Sequence, residues 1–475
     1  MRSGIQILVA HPRLYWSDSC DPKKEWLKVT KNKVPGDRLY TSMDDEEPVS
    51  PWLALPGGDN LGLGRHWHFF SVVFWVLNGI VYVVLLFATG EWSRLIPTSW
   101  SIFPQAWHTF LTYLSLHIPP ASDFHPYDPL QQLAYAAVVF LLGPFMLLTG
   151  AAMSPAIEAR FPWYIKLFGG KQGARSLHFL SLVAFILFII VHTALVLIVH
   201  FQDNIRNIVL DNQNGSFGLA LAIAVIALII VAAIYAWASV YTTRHRRQMQ
   251  HALGVVVDPV RHALLHREVS KQRYSHSDIT SYFWVNGEPP DTDEYERLAE
   301  HNFEDWELEV FGLVEQPLHL TLNDLRRLPK QTQITKHNCI QGWSGVAEWG
   351  GVPVTEILKL CRPLLDARYL VFTSYQKGRG ATKPELKEAH NHTFYEVIDM
   401  ELVKHPQTIL AYEMNGEPLP IPHGAPLRLR VETLLGYKMV KYLRSIELVK
   451  DYSNIGEGQG GFREDFQYYG KGAEI

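Results

Sequence analysis

Cysteine is scarce. The 475-residue chain has three, Cys20, Cys339 and Cys361, too few and too scattered for a disulfide framework or a cysteine zinc cluster. Net charge is small as well, −4 from 43 Lys and Arg against 47 Asp and Glu, which gives no electrostatic case for nucleic-acid binding. No charged n-region with an apolar h-region and cleavage site opens the sequence, so no secretory signal is read there, and no twin-arginine motif precedes the first long apolar run. Internal repeats and low-complexity tracts are missing too. The length has room for two or three domains. The 48% hydrophobic content is unevenly spread: apolar residues concentrate before residue 242, and most charge lies outside those runs.

Four uncharged runs, roughly His66 to Gly90, Pro129 to Met153, Leu177 to Phe201 and Ser216 to Tyr241, are each long enough to cross a hydrocarbon core of about 30 Å as helix. The expected membrane domain is 66–242. Residues 1–65 precede it as a charged tail or loop, and the basic, His-rich 243–278 reads as a linker. From Ile279 to residue 475 the character changes to a soluble α+β domain, in which short β-type runs such as Leu308-Glu309-Val310-Phe311 and Tyr369-Leu370-Val371-Phe372 alternate with turns.

Histidine inside an apolar span is costly unless paired or ligating. His178 and His192 share the third span, 14 residues apart. At 1.5 Å and about 100° per residue they stand roughly 21 Å apart and within about 40° of one face, which suits two metal groups stacked at two depths. The first and third spans run parallel, so a partner for His178 belongs near the start of the first, where His66 and His68 lie about 200° apart around the helix and only one can face the bundle.

In the soluble domain, residues 337–353 set one cysteine among glycines, tryptophans and small residues: His337-Asn338-Cys339-Ile340-Gln341-Gly342-Trp343-Ser344-Gly345. A thiol at such a turn can be a metal ligand, a nucleophile or a small buried hydrophobe. Cys361, after an amphipathic run, reads as core, and Cys20 sits in a polar loop without an evident partner.

This segment resembles the cysteine loop of the sulfite oxidase superfamily, and the resemblance extends from about Ile279 to Val449. Its second anchor is His423-Gly424-Ala425-Pro426-Leu427-Arg428-Leu429 followed by Gly436-Tyr437-Lys438-Met439-Val440-Lys441, similar to the family's HGxPxR and GxxxVKW pieces. The resemblance implies molybdenum held by a molybdopterin and by the Cys339 thiolate. It implies pterin contacts from His423 and Arg428, a phosphate loop at Met439, Val440 and Lys441, a hydroxyl contact from Ser374, and a contact from Asn286 where the match is loose. True sulfite oxidases carry an arginine five residues after the cysteine. Ser344 stands there, preceded by Trp343, which is closer to the methionine-sulfoxide reductase branch and favours reduction of an S-oxide or N-oxide over sulfite as substrate. The spans resemble b-type cytochromes of the formate dehydrogenase and thiosulfate reductase kind, in which each haem iron is held by histidines from two helices. Arg65-His66-Trp67-His68-Phe69 matches them best with His68 as the ligand. His192's partner lies, in that family, on a helix that would precede Met1, and Gly4 to Ala10 is similar to that helix's last turns. The expectation is therefore a longer natural protein with one more span, and one or two b haems.

The combined expectation is a multi-pass inner-membrane oxidoreductase that passes electrons between quinol and a small or protein-bound oxide, fused so that donor and acceptor stay together. Lys and Arg crowd residues 1–65, the Arg160 to Arg175 loop and Arg244 to Arg247, which places the molybdenum domain in the cytoplasm by the positive-inside rule. An extra first span would place it outside. Three rivals stand: sulfite-type oxidation feeding the quinone pool, a haem conduit whose docking domain holds no cofactor, and a Cys-His hydrolase built from Cys339 and His337.

Overall fold

The computed structural model describes residues 1–58, 60–117, 127–212, 214–265, 272–378, 393–470 and 473. A short helix α1 (Arg2–Val9) packs beside the first span, α2 (Leu61–Ala88). Helix α3 (Ile102–Leu114) leads to the second span, α4, over Pro129–Ala152. Asp128 opens α4 with a capping box to Gln131, satisfying two free N–H groups. Pro144 cannot donate to the ladder, and just before it residues Val138–Leu142 form a π turn in which Gly143 N–H reaches the Val138 carbonyl. The third span α5 covers Lys171–Ile198, and the fourth, α6, Phe217–Arg244. All four are long and apolar enough to cross a membrane, and their outward apolar surface is what lipid would cover.

Two boundaries differ from the sequence expectation for one reason. Helix α5 starts at Lys171, six residues early, because Lys171, Gln172 and Arg175 are buried against the following domain rather than exposed to lipid. Most of the stretch read as a linker is helix α7 (Arg246–Leu265), whose Met249 and Leu253 pack on Leu63 and Trp67 of α2. Residues 266–271 of that stretch lie outside the described residues.

The C-terminal domain is built on two sheets, one mixed and one antiparallel. Strands β1 (Glu307–Gly312), β2 (Leu318–Thr321), β5 (Tyr369–Lys377), β6 (Thr393–Asp399) and β9 (Leu443–Val449) form one, in the order β2-β1-β9-β5-β6, with β9 parallel to β1. In the other, β3 (Gln331–Asn338) pairs with β4 (Ser344–Pro353), β4 with β7 (Thr408–Met414), and β7 with β8 (Arg428–Val431). Buried Trp284, Trp306, Leu308, Phe372 and Leu448 anchor the core. The architecture is thus four membrane-type helices followed by a sheet-rich soluble domain. Cys361 is fully buried core; Cys20, read from sequence as a loop residue, is also fully buried, and its Sγ receives the Ser344 N–H at 3.5 Å.

Candidate molybdenum and haem sites

The β3–β4 hairpin places the cysteine. Asn338 pairs with Ser344, and Cys339 to Trp343 form the tip, closed by Cys339 N–H to the Trp343 carbonyl and Gly342 N–H to the Cys339 carbonyl, both 3.1 Å. Gly342 has φ +116°, which a residue with a Cβ adopts only with strain. The Cys339 thiol points at Gln341 Oε1, 3.4 Å away, and the Asn286 amide nitrogen stands 3.7 Å from Sγ. Gln341 is itself held from the N-terminal segment: Ser42 Oγ donates to its Oε1 at 2.6 Å, and its Nε2 donates to Glu46 Oε1 at 2.6 Å. Burial pushes the thiol up to about 12, so at neutral pH it stays protonated until a metal cation displaces the proton.

That environment disfavours the hydrolase. His337 stacks on Trp343 at 5.3 Å, its Nδ1 faces Arg430 at 3.0 Å, and burial with Arg430 holds it well below the usual histidine range. Among the described residues no histidine bonds to Sγ, and a thiol without a base is a poor nucleophile.

A cavity of about 740 Å³ adjoins the loop, walled by Asn286, Gln341, Trp343, His423, Arg428 and Lys441 among others. Its wall carries Asp44, Glu46, Glu47, Glu288 and Asp291 as well as Arg463 and two further cations, Arg428 and Lys441. Arg428 donates to the His423 carbonyl at 2.8 Å and lies over the Trp349 ring, but its Nε has no partner among the described residues. Among the described residues, Lys441 Nζ reaches only the Pro422 carbonyl, at 3.0 Å, and the Tyr442 hydroxyl, at 3.3 Å. Among the described residues no carboxylate hydrogen-bonds to either cation. Burial and Arg430 push Arg428 down to about 9, burial and Arg428 push Lys441 well below its ordinary value, and His423 falls to about 3. Two desolvated cations to which no carboxylate among the described residues is bonded are costly alone and suit a large anion. Gly424, at φ +115°, lets them converge, since a Cβ there would lie 3.0 Å from Lys441 Cβ.

Of the sequence candidates, Asn286, His423, Arg428, Met439 and Lys441 wall this cavity. Ser374 and Val440 lie just behind it. The Ser374 hydroxyl donates to the Lys441 carbonyl at 2.7 Å, and the Val440 carbonyl accepts the Leu429 N–H, so both fix the loop that presents Lys441. Ser344 is buried next to Cys20, and its hydroxyl has no partner among the described residues. Sequence reasoning missed Glu46, Arg463 and Tyr469, which also line the cavity. The first comes from a loop nearly 300 residues away in sequence from Cys339, and the other two lie past the end of the resemblance.

In the helices, the His68 and His178 rings face each other with centroids 6.5 Å apart. Two metal–imidazole bonds of about 2 Å each plus two ring radii give a similar separation. His178 Nδ1 lies 3.1 Å from the Met146 carbonyl and from the Thr149 hydroxyl, and His68 Nδ1 is 3.4 Å from the Ser3 hydroxyl. A proton held on Nδ1 leaves Nε2 as the ligating atom, the arrangement metal-bound histidines favour. These residues fit a haem iron between them. His66 instead turns toward Gly62 and Gly470, away from His178. His192 stacks on Phe188 and meets the Tyr135 hydroxyl at 3.3 Å; among the described residues no second histidine contacts it.

The two sites are joined. Lys171 Nζ donates to Asn338 Oδ1 at 3.1 Å and Gln172 Nε2 to the Gly342 carbonyl at 2.8 Å, so the helix that carries His178 begins on the cysteine loop. Lys336, two residues before His337's neighbour Asn338, pairs with Asp18 at 2.8 Å and Glu158 at 2.7 Å across the same seam.

Comparison with known proteins agrees with this division. Residues 3–210 match the family of prokaryotic cytochrome b561, and residues 295–455 match the oxidoreductase molybdopterin binding domain. A relative from Azospira oryzae, ascribed as the YedZ1 subunit of a protein-methionine-sulfoxide reductase, is 34% identical over 41% of this chain and 64% of its own length. The protein-methionine-sulfoxide reductase catalytic subunit MsrP of Campylobacter jejuni is 28% identical over 32% of this chain and 51% of its own, and that of Xanthomonas campestris 32% identical over 36% and 54%. The chain thus spans between about half and two thirds of the relatives it matches. It unites, on one polypeptide, a domain of the prokaryotic cytochrome b561 family and a domain of the oxidoreductase molybdopterin-binding family.

Proposed function

We propose that this membrane protein takes electrons from quinol, passes them through b haem held by His68 and His178, and reduces an S-oxide or N-oxide beside Cys339. The observation that carries the reading is the hydrogen-bonded seam between the haem-ligand helix and the Cys339 loop, whose Ile340, Gln341 and Trp343 wall the cavity into which Arg428 and Lys441 converge. Molybdopterin, when bound, supplies oxygen-atom transfer coupled to two electrons. Arg428, Lys441 and His423 bind its anionic part, Cys339 ligates the metal, and Asn286 and Gln341 fix the sulfur's direction. The relatives named for methionine-sulfoxide reduction support an S-oxide as the substrate class, and Ser344 in place of an arginine argues against sulfite.

Quinol-dependent reduction of methionine sulfoxide, a protein-bound methionine sulfoxide, trimethylamine N-oxide and, in the reverse direction, sulfite oxidation tests this. The sulfoxides are the expected substrates, and sulfite oxidation with no oxide reduction would replace this reading by the sulfite-type rival. Haem iron without molybdenum in the purified protein would leave only the electron conduit.

The chain is a multi-pass membrane protein, and we place the molybdenum domain in the cytoplasm. Lys171 and Arg175 no longer count toward the positive-inside rule, because the domain seam buries them. Lys23, Lys24, Lys28, Lys31, Lys33 and Arg38 stay exposed in the segment before α2 and carry the assignment. Labelling of an introduced Lys31→Cys by an impermeant maleimide in intact cells, against lysed cells, checks it: labelling only after lysis is expected, and labelling in intact cells overturns it.

A further inference from the structure

A buried ionic cluster of Lys438, Glu396 and Glu464 stands beside the cavity, and none of the three is among its walls. Lys438 Nζ stands 2.7 Å from Glu396 Oε2, 2.5 Å from Glu464 Oε1 and 2.9 Å from the Gly460 carbonyl. Glu396 lies on β6, Glu464 on the short C-terminal helix α8 (Phe462–Phe466), and they are 0% and 4% exposed. A Cβ on Gly461 would come within 2.0 Å of Glu396 Oε2 and 2.6 Å of Glu464 Oε2, so the carboxylates flank a single point that only glycine leaves open. One oxygen of each, Glu396 Oε1 and Glu464 Oε2, is buried with no hydrogen-bond partner among the described residues. The Tyr437 hydroxyl donates to Glu464 Oε1 at 3.0 Å, and Tyr437 also walls the cavity.

Two carboxylates against one ammonium would leave a net negative charge out of reach of water, which one bound proton removes. The other charged groups packed here reduce it without cancelling it: Arg463 draws the Glu396 carboxyl down, but by less than burial and Glu464 push it up. Arg463 donates to Gln467 at 2.5 Å and lines the cavity, while Arg247 donates to the backbone carbonyls of Glu464 and Asp465. Asp465 takes the Tyr395 hydroxyl, and Arg261 acts on Tyr437. Burial and Glu464 hold Glu396 well above the usual carboxylate range, while both carboxylates keep Lys438 charged.

We propose that Glu396 and Glu464 share one proton against Lys438, and that Tyr437 relays it into the cavity when an oxide is reduced. The relay rests on the oxide-reductase reading above. Removing oxygen from a sulfoxide breaks the S–O bond, consumes two electrons from quinol and two protons, and releases sulfide and water. The shared proton is one of the two. Tyr437 gives its hydroxyl proton to the departing oxygen and takes the carboxyl proton from Glu464, and bulk water supplies the second proton and refills the pair.

Infrared spectra of the full-length, haem-loaded protein in H₂O and D₂O test the shared proton, and turnover of Tyr437→Phe tests the relay. The wild type should show a deuterium-sensitive carboxylic-acid C=O band that disappears in both Glu396→Gln and Glu464→Gln, because a shared proton needs both partners. Tyr437→Phe should keep the band and lose roughly 100-fold in oxide turnover, the size of a general-acid contribution, with KM little changed. A wild type without the band, a band that survives either Gln substitution, or a Tyr437→Phe enzyme as fast as wild type would overturn the proposal. Should no oxide be reduced at all, the infrared band still decides the shared proton, and only the functional reading falls.

Discussion

At the scale of single residues, the chemistry turns on buried groups that find no partner among the described residues. Arg428 is buried with its Nε unpartnered among the described residues, so it costs stability until an anion arrives. Arg428→Met should therefore raise the melting temperature of cofactor-free protein, by about 1–3 kcal/mol of recovered desolvation, yet lower the molybdopterin retained on purification. A melting curve and a molybdenum assay on the same preparation read both signs; lower stability in both forms would show Arg428 to be structural. The Cys339 thiol follows the same logic. Pushed up to about 12 by burial, it should resist iodoacetamide at pH 8 in apo protein, where a free thiolate would react within minutes, and peptide mapping of labelled sites checks this. Cys339→Ser should lose molybdenum and keep haem.

Which of these residues could be read beforehand follows from how far their reasons lie along the chain. Cys339, His423, Arg428 and Lys441 sit in local patterns of glycine, proline and charge, and such patterns survive in sequence. Ser374 and Val440 have the same local signature but spend their polar groups on backbone, which only the packed loop reveals. Glu46 accepts from Gln341 across a separation of 295 residues that contains all four spans, and no window of sequence contains both.

At the scale of elements, helix α5 does two jobs. Its apolar length was plain from composition, because lipid demands about 20 uncharged residues in a row. Its polar first turn was not, since Lys171, Gln172 and Arg175 look like the end of a loop until the second domain covers them. The facing pair His68 and His178 was legible from helical geometry, because two parallel spans put their starts at one depth, and the choice of His68 over His66 from the match to the cytochromes. Gln172→Leu removes one hydrogen bond from the seam. It should keep haem and molybdenum, cost about 1 kcal/mol of stability, and slow electron passage from haem to the cysteine site as followed by stopped-flow haem absorbance. An unchanged rate would mean that the seam only holds the domains together.

At the scale of the whole molecule, one chain replaces a docking encounter. The buried Lys336 pairs with Asp18 and Glu158, and Arg175 donates to the Arg13 carbonyl at 2.7 Å, so the N-terminal segment, the spans and the soluble domain interlock. Turnover per molecule should then be unchanged over roughly 100-fold dilution in detergent, as intramolecular transfer requires, and should fall little with added salt, since no exposed charges steer an encounter.

The most direct measurement of the central claim is the haem spectrum of quinol-reduced membranes after methionine sulfoxide is added. Wild-type haem should reoxidise, haem in Cys339→Ser should stay reduced, and His178→Ala should show no reducible haem at that position. Reoxidation in Cys339→Ser at the wild-type rate would contradict the account, because electrons would then be reaching the oxide by a route that bypasses the metal on that sulfur.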